Sequence, residues 1–136
     1  MAENLLDLWP SDLGIANLPQ SPVSILRQQA SALSAKLDNR ILARVDSRPS
    51  GGYIAAHNFE RALCHRLVLV VPSLEDYTLD FLNLTQGEEA YPIVAQLKAK
   101  DSVLLKNEEA LVLWLREAFA SETTRNTLSS LLSLVQ

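Results

Sequence analysis

The stretch from Ile41 to Leu97 constrains the fold more than any other part of this chain. Four strand-like segments follow one another there, and the connections between them are too short to hold a crossover helix. Parallel neighbours need a crossover of about a dozen residues or more, so these strands must run antiparallel. Helical patterns flank the stretch on both sides. The predicted class is therefore α+β: a four-stranded antiparallel meander with one N-terminal and two C-terminal helices packed on one face.

Within the meander, Arg40 to Asp46 alternates, with Ile41, Ala43 and Val45 on one side and Leu42, Arg44 and Asp46 on the other. Ser47 to Gly52 holds Pro49, Gly51 and Gly52, a composition that predicts a hairpin loop or flap. The glycine pair lacks a following Lys-Ser/Thr and leads into a strand, which excludes a phosphate loop. Phe59 to Val71 reads as the longest strand, Tyr77 to Leu84 as its return, and Tyr91 to Leu97 as the fourth, with Pro92 marking an edge or a strand start. Pairing Val71 with Tyr77 predicts Leu69 opposite Leu79, Leu67 opposite Phe81 and His65 opposite Asn83, with Phe81 then opposite Ile93.

The helices announce themselves by their caps. Ser21-Pro22 predicts a start and an apolar stripe of Leu26, Ala30, Leu33 and Leu37 carries the helix to about Leu37. Asn107 followed by Glu108 and Glu109 predicts a second helix, and Ser121 with Thr124 a third, whose Leu128, Leu131, Leu132 and Val135 keep helical spacing. Trp114, Leu115, Leu128 and Leu132 are expected to lie against the Leu67, Leu79, Phe81 face. Residues 1–20, with Leu5, Leu6, Leu8 and Trp9 broken by Pro10, Gly14 and Pro19, read as an N-terminal arm, and residues 21–136 as a single domain.

Charge and composition narrow the function classes. The net charge is −4, and Arg27, Arg40, Arg44, Arg61 and Arg66 are scattered, so binding to a phosphate backbone is disfavoured. Cys64 is the single cysteine, which excludes an internal disulfide and a multi-cysteine zinc site and suits a reducing compartment. The opening Met-Ala-Glu-Asn has no basic region, and apolar runs such as Leu67 to Val71 fall far short of the roughly 20 residues a membrane span needs. The prediction is a cytoplasmic protein without a membrane association. A mean hydropathy of +0.06 is high for so small a domain and predicts a surface buried against a partner or a second copy, most simply in a homodimer.

No motif specifies a reaction, a cofactor or a metal. The one polar constellation that the predicted register assembles is a row of His65, Asn83 and Tyr91 across three strands. Histidine can exchange a proton near neutrality, an amide can orient its ring, and a phenol can donate to a substrate oxygen. Cys64 and His65 are adjacent on a strand and leave opposite faces, so they form no nucleophilic pair. His57 and Glu60 would need a third residue to ligate a metal, and a lone histidine beside the glycine loop reads as solvent-exposed, while Arg66 and Asp80 are placed for a surface ion pair. The leading reading is a protein-interaction or accessory module without catalytic activity, contacting its partner through Trp9, Arg48, Tyr53 and His57. The alternative is a small-substrate, hydrolase-like enzyme using His65, Asn83 and Tyr91; a third is a nucleic-acid accessory protein, which would need the arginines gathered on one surface.

Overall fold

The computed structural model describes residues 6–14, 18–54 and 57–135, with residues 50–54 and 57–61 described by their backbone alone. Helix α1 spans Pro22–Lys36, and the Ser21 hydroxyl accepts the Ser24 N–H at 3.2 Å, satisfying one of the free donors of the first turn. Beyond it Asp38 and Asn39 take positive φ (52° and 60°), a conformation short polar side chains tolerate. The chain then turns into β1, where the Ala43 N–H donates to the Ser34 hydroxyl at 2.9 Å and ties helix to strand.

Five strands follow: β1 (Leu42–Ile54), β2 (His57–Val71), β3 (Tyr77–Gln86), β4 (Ile93–Leu97) and β5 (Val103–Leu105). They form one antiparallel sheet in the order β1-β2-β3-β4-β5. The expected meander is present, with one strand more than the four predicted. At three residues β5 is too short to display alternation, so its sequence carried no strand signal. It also places β4 in the interior of the sheet, so Pro92, just ahead of Ile93, marks a strand start and not an edge.

Two further expectations are corrected. Ser47 to Gly52 is not a loop: β1 continues through it, with Pro49 opposite Leu63 and an irregularity between Ser50 and Gly52 that absorbs the glycines. As an edge strand β1 can hold a proline without losing a ladder bond on its open side. The β2–β3 register also differs. Val71 faces Tyr77 and Leu69 faces Leu79 as predicted, but between Leu67 and Val68 the pairing shifts, so that Leu67 faces Leu82 and His65 faces Leu84. Phe81 is the extra residue of a β-bulge, and its carbonyl accepts the Lys98 N–H at 2.8 Å. The β3–β4 pairing differs as well: β3 runs on to Gln86, so the connection is shorter than expected and Ile93 faces Gln86 instead of Phe81.

Helices α2 (Glu108–Ala120) and α3 (Glu122–Ser133) complete the chain. Asn107 Oδ1 accepts the Ala110 N–H at 2.8 Å, and Ser121 Oγ accepts the Thr124 N–H at 3.3 Å. At the α2–α3 corner the Ser121 and buried Thr124 hydroxyls both donate to the Ala118 carbonyl at 2.6 Å, so the chain reverses without leaving that acceptor bare. One buried cluster joins Leu26 of α1, Leu111 and Leu115 of α2 and Leu131 of α3 to Leu67, Leu69, Phe81, Leu82 and Leu84 of the sheet. Trp114, Leu128, Leu132 and Leu79 pack against it while partly exposed. A second buried set, Ala62, Val68, Val70, Thr85 and Val94, alternates with the first along the strands and lies outside that cluster, so both sheet faces carry buried side chains.

Because Leu84 is fully buried and Leu79 is not, Leu84→Ala should cost about 2–5 kcal/mol through the cavity it leaves, and Leu79→Ala clearly less. Urea unfolding of the two variants checks the order.

Candidate functional site

The bulge at Phe81 decides what surrounds His65. With His65 opposite Leu84, the next β3 side chain on the same face is Gln86, while Ser47 of β1 stands opposite from the other side. The imidazole, 2% exposed, is held between them: Nδ1 lies 2.7 Å from Ser47 Oγ and Nε2 lies 2.8 Å from Gln86 Oε1. The Gln86 amide donates its Nε2–H to the Glu89 carbonyl at 3.2 Å, which turns its oxygen toward the ring. His65 Nε2 must then carry the proton, and Nδ1 must accept from the Ser47 hydroxyl. Burial holds the His65 pKa below its ordinary value; the Gln86 bond opposes this shift and the nearby Arg27 charge adds to it. The ring is thus neutral at pH 7.

The predicted row does not assemble. Asn83 stands opposite Arg66 and Gln96, on the face of the sheet away from His65. Tyr91 precedes β4 and donates its hydroxyl to the Gln20 carbonyl at 2.9 Å, while the Gln20 N–H donates to Glu108 Oε1 at 2.9 Å. Burial first, and the Glu108 carboxylate second, push the Tyr91 pKa up to about 12, so its phenol stays a donor across the neutral range. Tyr91, Gln20 and Glu108 form a latch. It fastens the residue just ahead of α1 to the β3–β4 connection and to the first turn of α2.

Of the partner-contact candidates, Arg48 is exposed on β1, paired with Cys64 and facing away from His65. The side chains of Tyr53 and His57 lie outside the described residues, as does that of Glu60. Trp9 is 76% exposed, and Leu6, Leu8, Leu13 and Leu18 beside it range from 53% to 85%. Two short turns shape this arm: the Trp9 N–H donates to Asp7 Oδ1 at 3.0 Å and the Gly14 N–H to Asp12 Oδ1 at 2.8 Å. Arg66 Nη1 meets Asp80 Oδ2 at 2.9 Å in the ion pair expected from the sequence, and Arg44 Nε meets Asp46 Oδ1 at 3.2 Å. Among the described residues no group of three or more His, Cys, Asp or Glu side chains is placed to hold a metal ion, and no described helix is long and apolar enough to cross a membrane.

Sequence reasoning missed Ser47 and Gln86, because it placed the first in a loop and ended the strand at Leu84, short of the second. The one available signal was that Ser47 and Gln86 are the polar residues that a β1–β2 ladder and a bulged β3 would bring to His65. As a hydroxyl–imidazole–amide chain the site can pass a proton from Ser47 to His65, but the amide offers no charge to support an imidazolium.

Gln86→Ala should leave a buried N–H of His65 without its acceptor and cost about 1–3 kcal/mol. The pH dependence follows from the lowered His65 pKa. The unfolded imidazole takes up its proton near pH 6.5 and the folded one only at lower pH, so the unfolded state binds more protons in between. Stability is full above about pH 6.5 and falls as the pH drops below it. Urea midpoints from pH 8 to pH 5 should show this slope, and His65→Gln should flatten it.

Compared with protein-family models, with curated proteins and with solved structures, the chain matches none.

Proposed function

We propose that this chain is a small cytoplasmic protein-interaction or accessory module without catalytic activity of its own, and that its N-terminal arm is the element that recognises a protein partner. One observation carries this reading. Five large apolar side chains, Leu6, Leu8, Trp9, Leu13 and Leu18, stand 53–85% exposed within a single short segment, beside a domain that buries most of its large apolar side chains. Tryptophan is among the usual anchors of an interface, and a cluster of exposed apolar side chains around it marks a surface that something covers. The arm is shaped by the Asp7 and Asp12 turns and fastened at its root by the Tyr91 latch, which lowers the entropy lost on docking. Arg48 on the exposed side of β1, with Tyr53 and His57 further along the same hairpin, supplies a second contact surface. The single cysteine fits a reducing compartment.

A hydrolase-like reading draws on the 2.7 Å separation of Ser47 Oγ and His65 Nδ1. Against it, the imidazole is sealed at 2% exposure and its second nitrogen is met by a neutral amide. The module reading is favoured on that ground.

Affinity isolation from the native host should recover a partner with the full chain and roughly tenfold less with a chain lacking residues 1–13. Undiminished capture would overturn the reading. A short-chain nitrophenyl ester should be hydrolysed no faster by the full chain than by Ser47→Ala; a Ser47-dependent rate would favour the enzyme.

A further inference from the structure

A crevice of about 180 Å³ opens between α1 and the α2–α3 corner. Its floor is Leu67, Leu69 and Phe81, its walls are Leu33, Phe119 and Leu128, and Lys36 is the one charged side chain among its described lining residues. We propose that the arm of a second copy of this chain fills this crevice, Trp9 foremost, and that the exchange is reciprocal, giving a two-fold dimer. This inference rests on the reading of the arm as a recognition element and names its partner.

Size, charge and placement support the assignment. A cavity of about 150 Å³ accepts a benzene ring, so this open crevice of about 180 Å³ takes the six-membered edge of the Trp9 indole or the ends of Leu8 and Leu6. Its lining is apolar, as the arm is, and the docked ring would remove water from both sides of the contact. Residues 1–20 carry Glu3, Asp7 and Asp12 and no lysine or arginine, while the crevice offers Lys36. Asp7 Oδ1 accepts the Trp9 backbone N–H, so an acidic side chain is held at the backbone of the docking residue and is available to Lys36.

Within one molecule the arm does not occupy its own crevice. Trp9 and the leucines beside it stand 53–85% exposed, although the chain between Trp9 and Gln20 is long enough to span the roughly 20 Å along α1 to Lys36. The arm instead stands in solvent, and a patch matched by a pocket elsewhere on the same molecule is satisfied by a second copy. Two such contacts related by a two-fold axis close the assembly, because each copy gives one arm and receives one.

Sedimentation equilibrium of the full chain at tens of micromolar, roughly the range in which moderate dimers persist, should give a dimer. A chain lacking residues 1–13, and Ala32→Trp, which fills the crevice from an exposed position on α1, should each be monomeric with a native-like far-UV spectrum. Lys36→Glu and Asp7→Lys should each weaken the dimer about fivefold, and the double variant should recover most of the loss. A full chain that stays monomeric, or a dimer that survives both the truncation and Ala32→Trp, would overturn the proposal. So would a monomer whose Trp9 is protected from iodide quenching, since the arm would then fill its own crevice. If truncation abolishes capture of a host partner but leaves the dimer intact, this inference falls and the recognition reading stands; a dimer lost on truncation with host capture unchanged has the opposite meaning.

Discussion

The pairing of β2 with β3, with Phe81 as its extra residue, is the constraint on which the rest of the structure depends. A single inserted residue sends Phe81 and Leu82 to the same side, and both lie in the buried cluster. From that point β3 presents Leu84 and Gln86 to the helical side, and β4 follows with Ile93, Ala95 and Leu97. Without the bulge the core face would receive Asn83 and Thr85, and Leu82 and Leu84 would face the other way. The Lys98 N–H that accompanies the Phe81 carbonyl supplies the bond that the interrupted ladder cannot. The surroundings of His65 are a consequence of the same residue, since only the shifted register brings Gln86 to its Nε2.

A second consequence concerns where apolar surface is left uncovered. The helical side of the sheet is filled by Leu26, Ile41, Leu111 and their neighbours, all essentially without exposure. Yet the chain carries an arm of exposed leucines with a tryptophan on one side and an open apolar crevice on the other. The Tyr91, Gln20 and Glu108 latch holds the arm at the boundary of the domain, and Tyr91 stays protonated there because burial and the Glu108 charge raise its pKa. Uncovered apolar surface of both shapes, one convex and one concave, accounts for a mean hydropathy above zero in a chain of 136 residues.

Local signals in the sequence were legible and long-range register was not. Ser21, Asn107 and Ser121 were recognisable as caps because a capping side chain acts within three residues of itself, and all three accept the expected backbone N–H. The antiparallel class was legible from connection lengths alone. The bulge was missed because one alternation phase was carried through β3 from Tyr77, whereas the apolar pattern changes phase at Phe81-Leu82, from Leu79 and Phe81 to Leu82 and Leu84. That hid the partners of His65 and falsely grouped it with Asn83 and Tyr91. Ser47 to Gly52 misled for a related reason: Pro49 and the glycines signal a turn locally, but an edge strand with an irregularity accommodates them. The exposure of Trp9 was also out of reach, since a tryptophan in a short apolar cluster reads the same whether docked or free.

The register is testable with the chain's own cysteine. Cys64 stands directly opposite Thr85, and paired residues across antiparallel strands bring Cα atoms to about 4.5–5.5 Å, within disulfide reach. Mild oxidation of the Thr85→Cys variant should join Cys64 to the introduced thiol within one chain, detected as a disulfide-linked peptide pair by mass spectrometry. Leu84→Cys, which an unbulged strand would set opposite Cys64, should give no such link. A link in the Leu84 variant and its absence in the Thr85 variant would contradict the bulge at Phe81 and with it the account of the core face and of His65.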